Sequence, residues 1–346
     1  MTGSSSFGDW PEADRLFRSH PLWLGGDDGY TVPLGGDRTL WLFGDSFIAA
    51  DPGQSRREAA VVHSSVALQT GLDLGNCSFE LDWRRDGDGR PLSLVDTDDD
   101  TWLWPYDGIR LGQPLLLFFM HVRSTRPDLD GMDAAWEAEG SMGFFEVFDW
   151  QAYLVPDSDL PLQEWAFEPV TRPTHTHKAI VGAALCRDDE WLYAYAYRSD
   201  GALICRWPVA AASAGNLDAP QWWSGDQGWV IDGDPDVVLP GALTEFTVHR
   251  ADDGRWVQTE VTGFAEPAAA VSLRYAEAPQ GPWSDTAEVL PLRDRPPGAV
   301  IYAGKAHPEL AGEHLVVSHV TIGMTRSETL TNPDLYVPRV VRIPRP

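Results

Sequence analysis

Lysine is almost absent from this chain. Of 26 basic residues only Lys178 and Lys305 are lysines. Genomic base composition is the ordinary cause of such a bias, and each surviving lysine is then a candidate for a specific role. Positive charge of any kind is scarce, with 52 acidic residues giving a formal net charge of −26. Such a surface repels phosphate backbones and anionic bilayers, which excludes nucleic acid and membrane as partners. Cysteine is limited to Cys77, Cys186 and Cys205. No Cys-x-x-Cys pair or Cys/His cluster has zinc-ligand spacing, so buried free thiols in a reducing compartment are expected. Cys186 and Cys205 are placed so that they could meet as strand neighbours, though nothing requires a disulfide. No run approaches the ~18 apolar residues of a membrane span. Met1 to Trp10 lack the charged-then-apolar pattern of a secretory signal, so a cytoplasmic location is expected unless the chain is a trimmed mature form. A Gly-x-Ser-x-Gly elbow, a P-loop and a dinucleotide fingerprint are also missing, and a Ser/His/Asp triad has no local signal.

Present instead are 16 Trp, 32 Gly and 27 Pro among 346 residues. Short β-rich runs separated by Gly, Pro, Asp and Asn clusters recur throughout, the pattern of an all-β protein. Five times an apolar strand is followed by a turn and a second strand rich in aromatics or valine. The pairs are Tyr30–Leu34 with Leu40–Ile48, Asp107–Leu111 with Leu115–Val122, and Ala179–Cys186 with Trp191–Arg198. Leu243–His249 with Trp256–Val261 and Ile301–His307 with His314–Ile322 complete the series. Their spacing suits five four-stranded sheets arranged radially, a five-bladed β-propeller. A β-sandwich is the alternative, but it would not need five similar starts. One domain is expected over 1–346, with a lead-in to about residue 20 and blades over about 21–343. The last strand, Leu335–Ile343, would complete a blade begun by the N-terminal residues. Pro127–Glu139 reads as a long polar loop.

The innermost strands of a propeller run in one direction along the axis, so their beginnings gather at one mouth. The starts predict Asp27, Asp107, His177 with Lys178, Glu245, and Lys305 with His307 at that level. Folding Thr31–Leu40 as a hairpin about Gly36 sets residue numbers summing to 72 or 73 opposite each other. Asp27 then faces Asp45 or its neighbour. Directly opposed residues have Cβ atoms ~4.5–5.5 Å apart, and like charges there repel. A chain that accepts such repulsion beside a Trp-rich surface points to carboxylate chemistry. In the plainer reading, one Asp caps a turn and the other is solvated.

Several strings occur in a telling order: Gly-Gly-Asp-Asp-Gly-Tyr-Thr-Val-Pro-Leu (25–34), Leu-Trp-Leu-Phe-Gly-Asp-Ser-Phe (40–47), Trp-Pro-Tyr-Asp-Gly (104–108), Thr-Glu-Phe-Thr-Val (244–248), Gly-Pro-Trp (281–283), Gly-Lys-Ala-His-Pro-Glu-Leu (304–310) and Tyr-Val-Pro-Arg (336–339). Together they resemble a bacterial five-bladed propeller family, domain of unknown function 4185, also glycoside hydrolase family 183. Some of its members are endo-acting D-arabinanases. The resemblance implies that Asp27 and Asp45 are the catalytic carboxylates of a hydrolase acting on an arabinofuranose-containing glycan. This chain departs from the pattern at Asp28, an added acid, and at His63, where an amide residue is expected. Ser318-His-Val-Thr replaces a more polar stretch.

Glycoside hydrolysis commonly needs one protonated and one ionised carboxyl, ~5–5.5 Å apart for retention and ~6.5–9.5 Å for inversion. Opposed hairpin positions favour retention, and mutual repulsion would raise one pKa and leave the other group ionised. Which Asp takes which role stays open in the sequence. Asp28, His63, Asp107 and Glu245 are candidates for binding sugar hydroxyls or tuning a neighbour's pKa, and Glu245 is even a rival general acid. Lys305 and His307 share a strand face. One could pair with an aspartate and the other donate to substrate, or both could belong to a buried salt bridge involving Glu309. His175 and His177 have metal-ligand spacing but no third ligand nearby, so a solvated loop is favoured for them. Among Trp23, Trp41, Trp102, Trp104 and Trp223 only one or two should stack on sugar, Trp104 being the best placed. No cofactor is expected. An acid-rich axis can hold calcium, but no loop has calcium-motif spacing. Two other readings keep the fold: an intracellular isomerase, cyclase or small-glycoside hydrolase using the same pocket, and a non-catalytic carbohydrate binder.

Overall fold

A computed structural model describes residues 7–97, 100–126, 145–231, 233–263, 269–293 and 299–346. The polar segment 127–139 lies outside the described residues. The chain forms a five-bladed β-propeller. Blade 1 contains Trp23–Gly35, Arg38–Ile48, Ser65–Thr70 and Ser78–Asp82, with Ala60–Val62 added beside the second strand. Blade 2 is built from Thr101–Arg110, Leu115–Ser124, Phe145–Val155 and Glu168–Pro169. Blade 3 opens with Ile180–Arg187, Trp191–Arg198 and Gly201–Pro208, then adds Gln221–Trp223 and Trp229–Val230 at its rim. Blade 4 comprises Thr247–Arg250, Trp256–Thr262, Ala269–Ala276 and Ala287–Leu292. Blade 5 takes Val300–His307, His314–Ile322 and Arg339–Pro344, and Gly8–Asp9 pairs with the last of these. The first strand of each blade touches the first strand of the next, and blade 5 touches blade 1, so the ring closes. Closure of this kind protects strand edges that would otherwise invite pairing with other chains.

The inner strands are interrupted. In the first hairpin Val32 pairs with Leu40 and Tyr30 with Leu42, the predicted register, but shifts follow at Asp28, Gly26 and Trp23. Similar irregularities skip Tyr106 and Asp107 in blade 2, Gly182 and Ala183 in blade 3, and Ala303 and Gly304 in blade 5. Bulges put successive side chains on altered headings. They are why these strands aim polar groups at the axis while their flanks pack as ordinary alternating β-structure.

Between the blades lies an aromatic core. Trp41, Trp150, Trp207, Trp222, Tyr195, Phe118 and Phe119 are fully buried. Trp23 and Trp41 belong here and correct two sugar-stacking expectations. Both are buried, with indole N–H groups donating to Ser65 Oγ at 3.0 Å and Gln69 Oε1 at 2.8 Å. The three cysteines are free. Cys186 lies on the first strand of blade 3 and Cys205 on the third, with the second strand between them, so they are not the neighbours envisaged. No helix among the described residues is long and apolar enough to cross a membrane.

Candidate active site

Asp27 lies in the bulge of the first strand, opposite the unpaired stretch Gly44-Asp45 of the second. Its Oδ2 accepts the Tyr302 hydroxyl at 2.7 Å. A side chain at Gly44 would overlap Asp27 Oδ1, so the glycine leaves room for this carboxyl. Burial, then the negative charges of Asp28 and Asp45, push Asp27 well above the usual carboxylate range, while the Tyr302 bond opposes the shift. Of the two hairpin carboxyls, Asp27 is the one whose surroundings favour the protonated form.

Asp45 is arranged differently. Its Oδ1 accepts the Trp104 indole N–H at 2.6 Å and lies 2.8 Å from His63 Nδ1. His63 stacks on Trp102, and Trp104 meets Phe145 edge-on. Two carboxyls on one hairpin thus stand in contrasting surroundings, the arrangement that separates an acid from its ionised partner.

A second layer lies deeper along the axis. Lys305, fully buried, places Nζ 3.3 Å from Asp28 Oδ1 and 4.1 Å from the centre of the Tyr30 ring. Glu245 is raised to about 8, first by burial, then by the Asp28 charge; the Lys305 charge pulls the other way. Asp28, Ala303 and Tyr336 all have positive φ, at 63°, 55° and 58°. Burial, then the Asp27 charge, pushes the Tyr336 phenol well above its usual range. Non-glycine residues in this conformation are uncommon and cluster where a structure holds functional groups in place. Tyr302 and Tyr336 are not singled out by the sequence because nothing in their spacing separates them from the many core aromatics.

Four expected members sit elsewhere. Asp107 is the seventh residue of a strand that begins at Thr101, because Trp102-Leu-Trp extends the strand upstream. It therefore faces the opposite end of the channel, in a cleft lined by Thr31, Leu185, Thr247, His249 and Glu309. Leu185 and Gly108 N–H groups donate to its two oxygens at 2.7 and 2.8 Å, and burial raises it to about 7. His307 does not reach substrate space. Its ring is buried against Trp41, and its nitrogens lie 2.8 Å from Thr31 Oγ1 and 2.9 Å from Ser318 Oγ. Burial, then the Lys305 charge, lowers it to about 3, so the imidazole stays neutral. His177 packs edge-on against Trp222, in the fourth strand of blade 3, and its neighbour Lys178 is exposed. The axis and this histidine are separated because the chain turns through two positive-φ residues, His177 and Lys178, just before the inner strand starts. Trp223 packs against Trp229 at the same rim. No group of three potential metal ligands occurs among the described residues.

Comparison with known proteins adds a family and a fold. A family model described as a domain of unknown function (DUF5005) matches residues 12–345. No curated protein matches the sequence. A Bacteroides ovatus protein provisionally called a hydrolase is similar in structure over 99% of this chain and 93% of its own, with 17% identity and a TM-score of 0.72. The Podospora anserina α-L-arabinofuranosidase PaAbf62A, solved with cellotriose, is similar over 94% of this chain and 92% of its own, at 11% identity and TM-score 0.52. An exo-β-1,3-galactanase from Phanerochaete chrysosporium, solved with β-1,3-galactotriose, shows 12% identity and a TM-score of 0.51. That match covers 92% of this chain and 60% of the galactanase.

Proposed function

We propose that this chain, which belongs to the DUF5005 family, is a glycosidase that cleaves an arabinofuranose-containing glycan. The observation that carries this reading is the unequal pair Asp27 and Asp45. One carboxyl is pushed up by burial and by neighbouring acids beside Tyr302, while the other is set among hydrogen-bond donors on the same hairpin. Glycosidic oxygen is a poor leaving group unless it receives a proton, and the departing sugar carbon needs negative charge or an activated nucleophile opposite. Asp27 supplies the proton, and the Asp45 side supplies the counterpart. Asp28, Lys305 and Glu245 hold the charge balance beneath them. Trp104, fixed by its bond to Asp45, offers an apolar face beside the reacting carboxyls, suited to a sugar ring. The ordered motifs that resemble those of arabinanase-type propellers favour arabinofuranose as the sugar. The arabinofuranosidase and galactanase named above share the fold and support the class of reaction.

The test is hydrolysis of D- and L-arabinans and of aryl arabinofuranosides by the parent protein and by Asp27→Asn and Asp45→Asn. Release of reducing ends from arabinan should fall about 10²–10⁴-fold in each variant. The reading is overturned if the parent releases no sugar, or if both variants fold and cleave at the parent's rate.

A further inference from the structure

We propose that His63 is the catalytic base, oriented by Asp45 as a His–Asp dyad, and that the reaction inverts the anomeric centre. This inference rests on the glycosidase reading above and assigns the chemistry on the Asp45 side of the site. An ionised carboxylate only accepts hydrogen bonds, so the 2.8 Å contact from Asp45 Oδ1 places the imidazole proton on Nδ1. Nε2 is left with its lone pair. Among the described residues nothing hydrogen-bonds Nε2, and the side chain is 27% exposed, so it is open to solvent at the site.

The ring is fixed on three sides. Trp102 stacks on it with centroids 5.3 Å apart and planes 21° from parallel. Trp104 clamps the same Asp45 oxygen at 2.6 Å, and the His63 backbone N–H donates to Ser93 Oγ at 2.9 Å. From blade 2, Trp102 stacks on His63 and Trp104 bonds its Asp45 partner. Among the described residues, the charges near it include Asp45, from blade 1, and Asp96, from the loop before blade 2. A solvent-facing imidazole backed by a carboxylate and pinned by aromatics is built to take a proton.

The step balances. His63 Nε2 takes a proton from water as the water oxygen bonds to the anomeric carbon on the face away from the aglycone. The glycosidic C–O bond breaks, its electron pair goes to the leaving oxygen, and that oxygen takes the proton of Asp27. Asp45 stays ionised beside the imidazolium. Solvent then removes the proton from His63 and returns one to Asp27. Water entering from the opposite face gives inversion, where two opposed aspartates acting alone would give retention.

The experiment follows 4-nitrophenyl arabinofuranoside and arabinan hydrolysis by the parent, His63→Gln, His63→Asn and Asp27→Asn, with folding checked by circular dichroism. Proton NMR of the first-formed sugar should show the inverted anomer. Both His63 variants should lose about 10²–10⁴-fold in kcat on both substrates and lose the acidic limb of the pH–rate profile. Asp27→Asn should be slow mainly on arabinan, because nitrophenolate departs without a proton. Nitrogen-15 NMR should find Nδ1–H on His63 in the parent and a changed tautomer balance in Asp45→Asn. A retained product, a His63 variant as fast as the parent, or an Nε2–H tautomer overturns the proposal. If the parent cleaves no glycoside, the glycosidase reading fails and the tautomer decides the dyad alone. Nδ1–H that depends on Asp45 supports it, and Nε2–H overturns it.

Discussion

Lys305 shows how much a single side chain can govern here. It is fully buried, ion-paired with Asp28 and seated over Tyr30, and its charge is felt by Glu245, Asp107 and His307. A buried ion pair gains little over an apolar replacement of both partners, but removing one partner strands the other. Lys305→Met should therefore destabilise the fold by about 3–5 kcal/mol in urea unfolding. Adding Asp28→Asn to it should restore part of that loss, because the stranded charge goes too. If the double variant is no more stable than Lys305→Met, the ion pair is not what Lys305 contributes.

At the scale of the element, the bulged inner strand makes the site. Gly44 leaves space that Asp27 Oδ1 occupies, and Gly25 and Gly29 carry the positive φ, at 140° and 131°, that the bulge requires. Gly44→Ala should cost about 1–3 kcal/mol, the usual range for overpacking, and displace the Asp27 carboxyl. Its melting temperature and its glycoside hydrolysis should fall together, with hydrolysis falling further than stability alone explains.

The same bulges mark where local sequence signals end. Five hairpins and the Asp27–Asp45 register are legible because apolar alternation and Gly-Gly-Asp turns act over a few residues. The strand Thr101–Arg110 reads from its sequence as starting at Asp107, and that shift of six residues moves Asp107 to the wrong end of the channel. The two-residue spacing of His307 from Lys305 fixes a shared face but not whether that face meets solvent. Its partners Thr31 and Ser318 come from another blade and another strand, contacts that exist only after folding. His63 stands out in the sequence only as a departure from a family pattern, and its dyad with Asp45 emerges from a pairing across 18 residues.

For the whole molecule, buried titratable groups set how stability follows pH. His249 is lowered to about 4, and His307 and His319 to about 3, chiefly by burial. Each folded pKa lies below the unfolded value near 6.5, so their contribution is present above that pH and is lost as pH falls toward 3–4. Asp107 is raised to about 7 and Glu245 to about 8, and Asp27 is raised as well. For these carboxyls the folded pKa exceeds the unfolded one. Their contribution is present below about 4 and is lost as pH rises through 7–8. The two sets oppose each other between about 4.5 and 6.5, and only the acids act above that. Stability should therefore decline most clearly from pH 6.5 to 8, where the opposing histidines no longer act. Growing self-repulsion of a chain with formal charge −26 adds to the fall. Chemical denaturation across pH checks this, and Asp107→Asn should flatten the decline.

The seclusion of Lys305 also shapes how the surface can be handled. With one of two lysines sealed inside the propeller and the other, Lys178, exposed at the lip of blade 3, the folded protein offers a single lysine amine to acylating reagents. A dye, a tether or a solid support joined through it would sit at one known place, beside a rim rather than across the hairpin that carries Asp27 and Asp45.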